Sequence, residues 1–200
     1  MTPPVPKWVP LGSQTIEYFA RARGFAYEAR PEERWFRHWE PHDTMVAPEL
    51  WVNSCTERTP YGVFVVAEPW TANEGVDPVE RAVVAFAQIG GPVCRAAMRV
   101  GEPFLTRVAF LESPPPPKVL LGDAVWDEHV TTFAHSIDEA KGAFPPKLRK
   151  LLQERGFKGH LEIRRGGFVV HHEGVPPTAY GYELTFRVAH DIAKAFIFPN

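Results

Sequence analysis

The sequence predicts an α+β fold, a mostly antiparallel sheet with helices packed on one face and helices near both ends. Three observations carry that expectation. Apolar β-prone runs recur at Leu50–Cys55, Gly62–Ala67 and Ala82–Ala87, each short enough for a strand and bounded by turn residues. Stripes with a three- or four-residue step lie before Gly24, before Gly156 and from Ala179 onward, the spacing of one buried helix face. Between the last two stripes, Leu161–Arg164 and Phe168–His171 flank Gly166-Gly167, which reads as a β-hairpin closed by a residue of positive φ.

The elements follow in order. Residues 1–12 form a proline-rich, extended arm, with Trp8 able to anchor it. Ser13 is placed to cap a helix running to Arg23, with Ile16, Phe19 and Ala20 on one side and Gly24 as its stop. Phe25–Ala29 starts a strand. Arg34–Trp39 is dense in aromatics and cations, and packing against a core or partner is the preferred reading of Trp35 and Trp39. Leu50–Cys55 and Gly62–Ala67 are read as neighbouring antiparallel strands joined by a turn over Thr56–Tyr61. Ala82–Ala87 is the buried central strand, and Val93–Val100 a further one.

Four prolines at Pro114–Pro117 make the sharpest break, stiff in the manner of polyproline II. They are read as a crossover within one domain over 13–200, the alternative being two subdomains divided near 114–117. Val130–His135 is β-prone. Ser136-Ile137-Asp138-Glu139 has the form of a capping box and begins a short helix. Pro145-Pro146 introduces a helix whose Leu148, Leu151 and Leu152 share a face and whose C-cap is Gly156. In the closing helix Tyr182, Phe186, Ala189, Ala193 and Phe196 form a large apolar side. That side must cover the strands of Leu50–Ala87 or another copy of the chain.

From Trp126 to the end this pattern resembles a group of bacterial domains of unknown function: Trp126-Asp127, a strand, a capped helix, a proline-led Leu-rich helix, a hairpin and a final helix. The resemblance covers about two fifths of the chain. It implies an α+β fold and carries over no functional residue.

Composition narrows the function classes. The hydrophobic share of 44% and charged share of 23% are those of a folded protein, and 21 prolines point to many stiff loops. No apolar run is long enough to span a membrane, and the amino terminus shows no apolar signal region, so the cytoplasm is the expected location. Cys55 and Cys94 lack the spacing of a disulfide framework or zinc site and are read as plain thiols. His38 and His42 have ligand spacing, but Pro41 breaks the helix that would align them. No cofactor or metal is expected.

Charge is unevenly placed. Residues 40–80 carry eight acids against Arg58 alone, and 147–165 carry seven bases against Glu154 and Glu162. Lys147, Arg149, Lys150, Arg155, Lys158, Arg164 and Arg165, with Trp35 and Trp39, are therefore the candidate interaction surface. The leading reading is a non-enzymatic bacterial interaction or scaffold module that binds a protein partner or a second copy of itself. One alternative is a small metal-assisted hydrolase built on Asp123, Asp127, Glu128 and His129, where carboxylates and a histidine lie close. The other is nucleic-acid binding through 147–165, although the isoelectric point of 6.4 is far below the value of about 9 typical of such domains.

Overall fold

The computed structural model of the chain describes residues 12–32, 50–70, 82–101 and 116–197. Within them run nine strands: β1 (Ala26–Glu28), β2 (Leu50–Thr59), β3 (Gly62–Trp70), β4 (Val84–Ile89), β5 (Ala96–Val100), β6 (Lys118–Val119), β7 (Thr131–Phe133), β8 (Gly159–Arg164) and β9 (Gly167–His172). They make one sheet in the order β1-β2-β3-β4-β9-β8-β5-β7-β6. Every pairing is antiparallel. Five helices accompany it: α1 (Gly12–Arg23), α2 (Ala124–His129), α3 (Ile137–Ala143), α4 (Pro146–Glu154) and α5 (Ala179–Ile197). The chain is an α+β protein, as its sequence predicts.

The β8–β9 hairpin occupies the middle of the sheet. β9 pairs with β4 and β8 with β5, so strands from either side of Pro114–Pro117 alternate within one hydrogen-bonded array. A strand with neighbours on both edges is buried along most of its length. Leu161, Ile163, Phe168, Val169 and Val170 are accordingly buried.

The two sheet faces differ. One carries Phe64, Val66, Ala85, Ala87, Met98, Leu161 and Val170 in a single core with residues of all five helices. Fully burying each of its large side chains contributes roughly 1.5–3 kcal/mol. The opposite face carries a smaller cluster of Trp51, Val65, Ala67, Val84, Phe86 and Val169. The helices therefore stack on one face of the sheet.

Local chemistry sets the helix ends. Gly24 takes φ +71° after α1, a conformation glycine adopts without steric cost. The Ser136 hydroxyl accepts the amide of Glu139 at 3.1 Å and caps α3. Pro146 stands in the first turn of α4, where its missing N–H costs nothing, and beyond Glu154 the amide of Phe157 returns to the carbonyl of Leu152 at 2.9 Å. The apolar side of α5 buries Tyr182, Phe186, Ala189 and Ala193 and packs on β3, β4 and β9. It covers the chain's own sheet, which answers one of the two alternatives left by the sequence.

Some details depart from expectation. α1 begins at Gly12, so Ser13 lies within the helix. β2 continues to Thr59 through residues expected to turn, and the turn is only Pro60-Tyr61, because Thr56, Glu57, Arg58 and Thr59 all pair with β3. The β8–β9 turn is Arg165-Gly166, with Gly166 at φ +82° and Gly167 already in the strand. α2 and β6 were not foreseen. The arm 1–11, the aromatic segment 34–39, and His38 and His42 lie outside the described residues. No described helix is long and apolar enough to cross a membrane.

Candidate functional site

The acid and histidine cluster resolves into structural roles. Asp123 caps α2, its carboxylate accepting the amide of Trp126 at 3.2 Å, and also holds Arg149 Nε at 3.1 Å. Asp127 turns back and accepts three consecutive backbone amides, those of Leu121 (2.9 Å), Gly122 (2.8 Å) and Asp123 (3.1 Å). These bonds lock the turn that delivers Trp126 into the core, where its indole N–H donates to Thr132 Oγ1 at 2.9 Å. Glu128 and His129 are exposed, 3.9 Å apart. Among the described residues no three His, Cys, Asp or Glu side chains converge so as to hold a metal ion. A carboxylate that accepts three amides has little lone-pair capacity left for base chemistry.

The seven bases of 147–165, contiguous in sequence, are dispersed in space. On α4 the core takes Leu148 and Leu152, which turns Lys147, Lys150 and Glu154 to the opposite side. Lys150 faces Glu154 at 3.7 Å with most of its side chain in solvent. Arg149 is inside, bonded to Asp123 and, through Nη1, to the carbonyl of Phe144 at 2.8 Å. Arg155 bonds Asp191 of α5. Lys158 is exposed in the link to β8, whereas Arg165 is exposed at that strand's other end, roughly 20 Å away at about 3.3 Å per residue. Arg164 is largely buried against Glu162 at 2.7 Å. Lys147 and Lys150 thus lie on the outer side of α4 and Lys158 in the link after it, while Arg149, Arg155 and Arg164 bond carboxylates. Trp35 and Trp39 fall outside the described residues.

Two buried polar groups mark where the sheet tolerates hydrophilic atoms. On the helical face, Asn53 sits at φ +53° where the β2–β3 register shifts. Its side chain accepts from Tyr27 Oη at 2.8 Å and donates to Glu68 Oε1 at 2.8 Å. Its carbonyl accepts from Tyr182 Oη at 2.9 Å. Burial, then the Glu68 charge, hold the Tyr182 hydroxyl well above the ordinary tyrosine range. The same two causes push the Cys55 thiol up to about 12. A thiol so held is not a nucleophile at neutral pH.

On the opposite face His160 and His171 are cross-strand partners and Glu162 lies beside them, all three buried. His160 Nε2 is 3.9 Å from Glu162 Oε2. Burial alone would raise Glu162, but His160 and Arg164 outweigh it and its carboxyl stands below the ordinary range. Burial, reinforced by His160 and His172, drives His171 down to about 3. Adjacent His171 and His172 point to opposite faces, as strand alternation requires: His172 stacks on Phe157 at 5.3 Å.

His190 was missed in the sequence. On α5 its Nε2 lies 2.6 Å from a Glu57 carboxylate oxygen and its Nδ1 2.7 Å from Tyr61 Oη, both at hydrogen-bond distance. Its place four residues after Phe186, on the apolar stripe, was the available signal.

No family model matches the chain, and no curated protein matches it. Among solved structures it is similar to the crystal structure of the mycobacterial trehalose monomycolate transport factor A, TtfA, with a TM-score of 0.63 at 13% identity over 91% of this chain and 92% of that one. The likeness is one of fold. It lends the resemblance to bacterial domains a structural neighbour of bacterial origin, without a family match in sequence.

Proposed function

We propose that this chain is a non-enzymatic bacterial binding module, acting in the cytoplasm, that docks an acidic protein partner on the outer side of α4. The carrying observation is that Lys147, Lys150 and Lys158 are each exposed on α4 or in the link after it, while the carboxylates that could have served catalysis, Asp123 and Asp127, are engaged by backbone amides and Arg149. Exposed lysines on and beside a helix steer and orient an acidic surface more than they tighten it. The fold neighbour is a transport factor, which supports an accessory rather than catalytic role. The free thiols Cys55 and Cys94 favour a reducing compartment. On this reading 13–200 works as one unit, with 1–12 as an appended arm.

A partner of different sequence is preferred to a second copy, because α5 spends its apolar side on its own sheet and the described sheet ends in the short strands β1 and β6, of three and two residues. Short edges discourage strand addition. Gel filtration with light scattering at low salt tests this. A monomer at high concentration is expected, and a salt-sensitive dimer would return the reading to self-association.

A further inference from the structure

Ala97 of β5 is paired with Phe133 of β7 on one side and Glu162 of β8 on the other. Directly paired residues of neighbouring strands share a sheet face, so these three side chains form one row. Adjacent strands lie about 4.7–4.9 Å apart, and a lone methyl group between a phenyl ring and a carboxylate leaves a gap above it. A notch of about 10 Å³ lies there, lined by Ala97, Phe133 and Glu162 and also by Arg95 and Pro116. That is close to the least space that holds one water molecule, about one water-sized sphere.

Glu162 has one oxygen provided for and one not. Oε1 accepts from Arg164 Nε at 2.7 Å. Oε2 is shielded from solvent and has no hydrogen-bond partner among the described residues, in a side chain that is 2% exposed. His160 lies two residues earlier, on the same face of β8. Its Nε2 is shielded and unpartnered in the same way, in a side chain that is 4% exposed. The two atoms are 3.9 Å apart, too far for a direct hydrogen bond, which ends at about 3.2 Å. Two atoms at that separation can still both lie about 2.8 Å from a common point, where one bridging oxygen would sit. A buried carboxylate oxygen left unpaired carries a heavy desolvation penalty, so this pair calls for a partner that the side chains do not supply.

We propose that the notch holds one ordered water that donates to Glu162 Oε2 and bridges to His160 Nε2. The carboxylate oxygen only accepts, whereas a water both donates and accepts, so it serves either tautomer of the histidine. A larger ligand does not fit the notch. A metal ion would lack ligands, since among the described residues no three His, Cys, Asp or Glu side chains are grouped to hold one.

The test is a crystal structure of the full chain at a resolution that shows ordered solvent, with water-selective NMR as the check in solution. A water peak is expected about 2.5–3.2 Å from both Oε2 and Nε2, together with a cross-peak from a long-lived water to the Hε1 proton of His160. Ala97→Val adds two methyl groups at the notch and should remove both signals. A direct bond from Oε2 to a side chain, the lack of a water peak at Oε2 in the unaltered chain, or a cross-peak of undiminished intensity in folded Ala97→Val would overturn the assignment. The crystal structure of the unaltered chain decides the matter even where the variant fails to fold.

Discussion

The hydroxyl of Tyr182 donates to the main-chain carbonyl of Asn53 at 2.9 Å, joining residues 129 positions apart. It ties the first turn of α5 to the irregular point of β2, and the same hydroxyl lies 3.3 Å from Glu68 Oε1. The contact sets the helix on the sheet. Tyr182→Phe keeps the ring but leaves a buried carbonyl without that donor, at a cost of about 1–3 kcal/mol. Urea unfolding should show a lowered midpoint with an unchanged slope.

Asn53 itself combines a left-handed backbone with two side-chain bonds. Asn53→Ala loses those bonds and suffers the αL penalty, together about 3 kcal/mol. Asn53→Gly loses the bonds but fits the backbone, so its loss should be smaller by about 1 kcal/mol. Equal losses in chemical denaturation would mean that backbone strain plays no part.

Acid should weaken the fold through His171. Its folded pKa of about 3 lies below the unfolded value near 6.5, so between those limits the unfolded chain binds a proton that the native chain refuses. Stability then falls as pH drops from 6.5, by about 1.4 kcal/mol per unit for this one group. Glu162, depressed in the folded state, adds a loss of the same sign as pH falls below the ordinary carboxylate range. Unfolding free energies measured from pH 7 to pH 4 should show a slope that is shallower by one proton in His171→Gln.

Asp127→Asn tests the structural role of the acid cluster. The amide keeps one acceptor for three backbone donors, and the expected loss is about 1–3 kcal/mol. For a chain of this size calorimetry should read a melting point lower by roughly 2–4 °C per kcal/mol. An unchanged melting point would reopen a chemical role for Asp127.

Much of this architecture was legible because the relevant signals are local. The Ser136 cap, the stop at Gly156 and the stripe from Tyr182 to Ala193 each act within one or two helical turns. What escaped is long-range. Glu57 and Arg58 read as turn residues by polarity, yet Glu57 stays in the strand to meet His190 from α5. Asp127 stood among the residues of the alternative hydrolase reading because nothing in its neighbours reveals that three amides converge on it. The basic run of 147–165 looked like one patch, but helix periodicity sends Arg149 inward, strand alternation buries Arg164, and the length of β8 separates Lys158 from Arg165.

The proposed binding role turns on the outer side of α4, and cross-linking mass spectrometry in bacterial lysate tests it most directly. The unaltered chain and a Lys147→Glu, Lys150→Glu, Lys158→Glu variant of equal thermal stability would be compared at low and high salt. The account predicts cross-links from the α4 side to an acidic protein that fade with salt and vanish in the variant. The same partner captured by the variant at undiminished yield would contradict it.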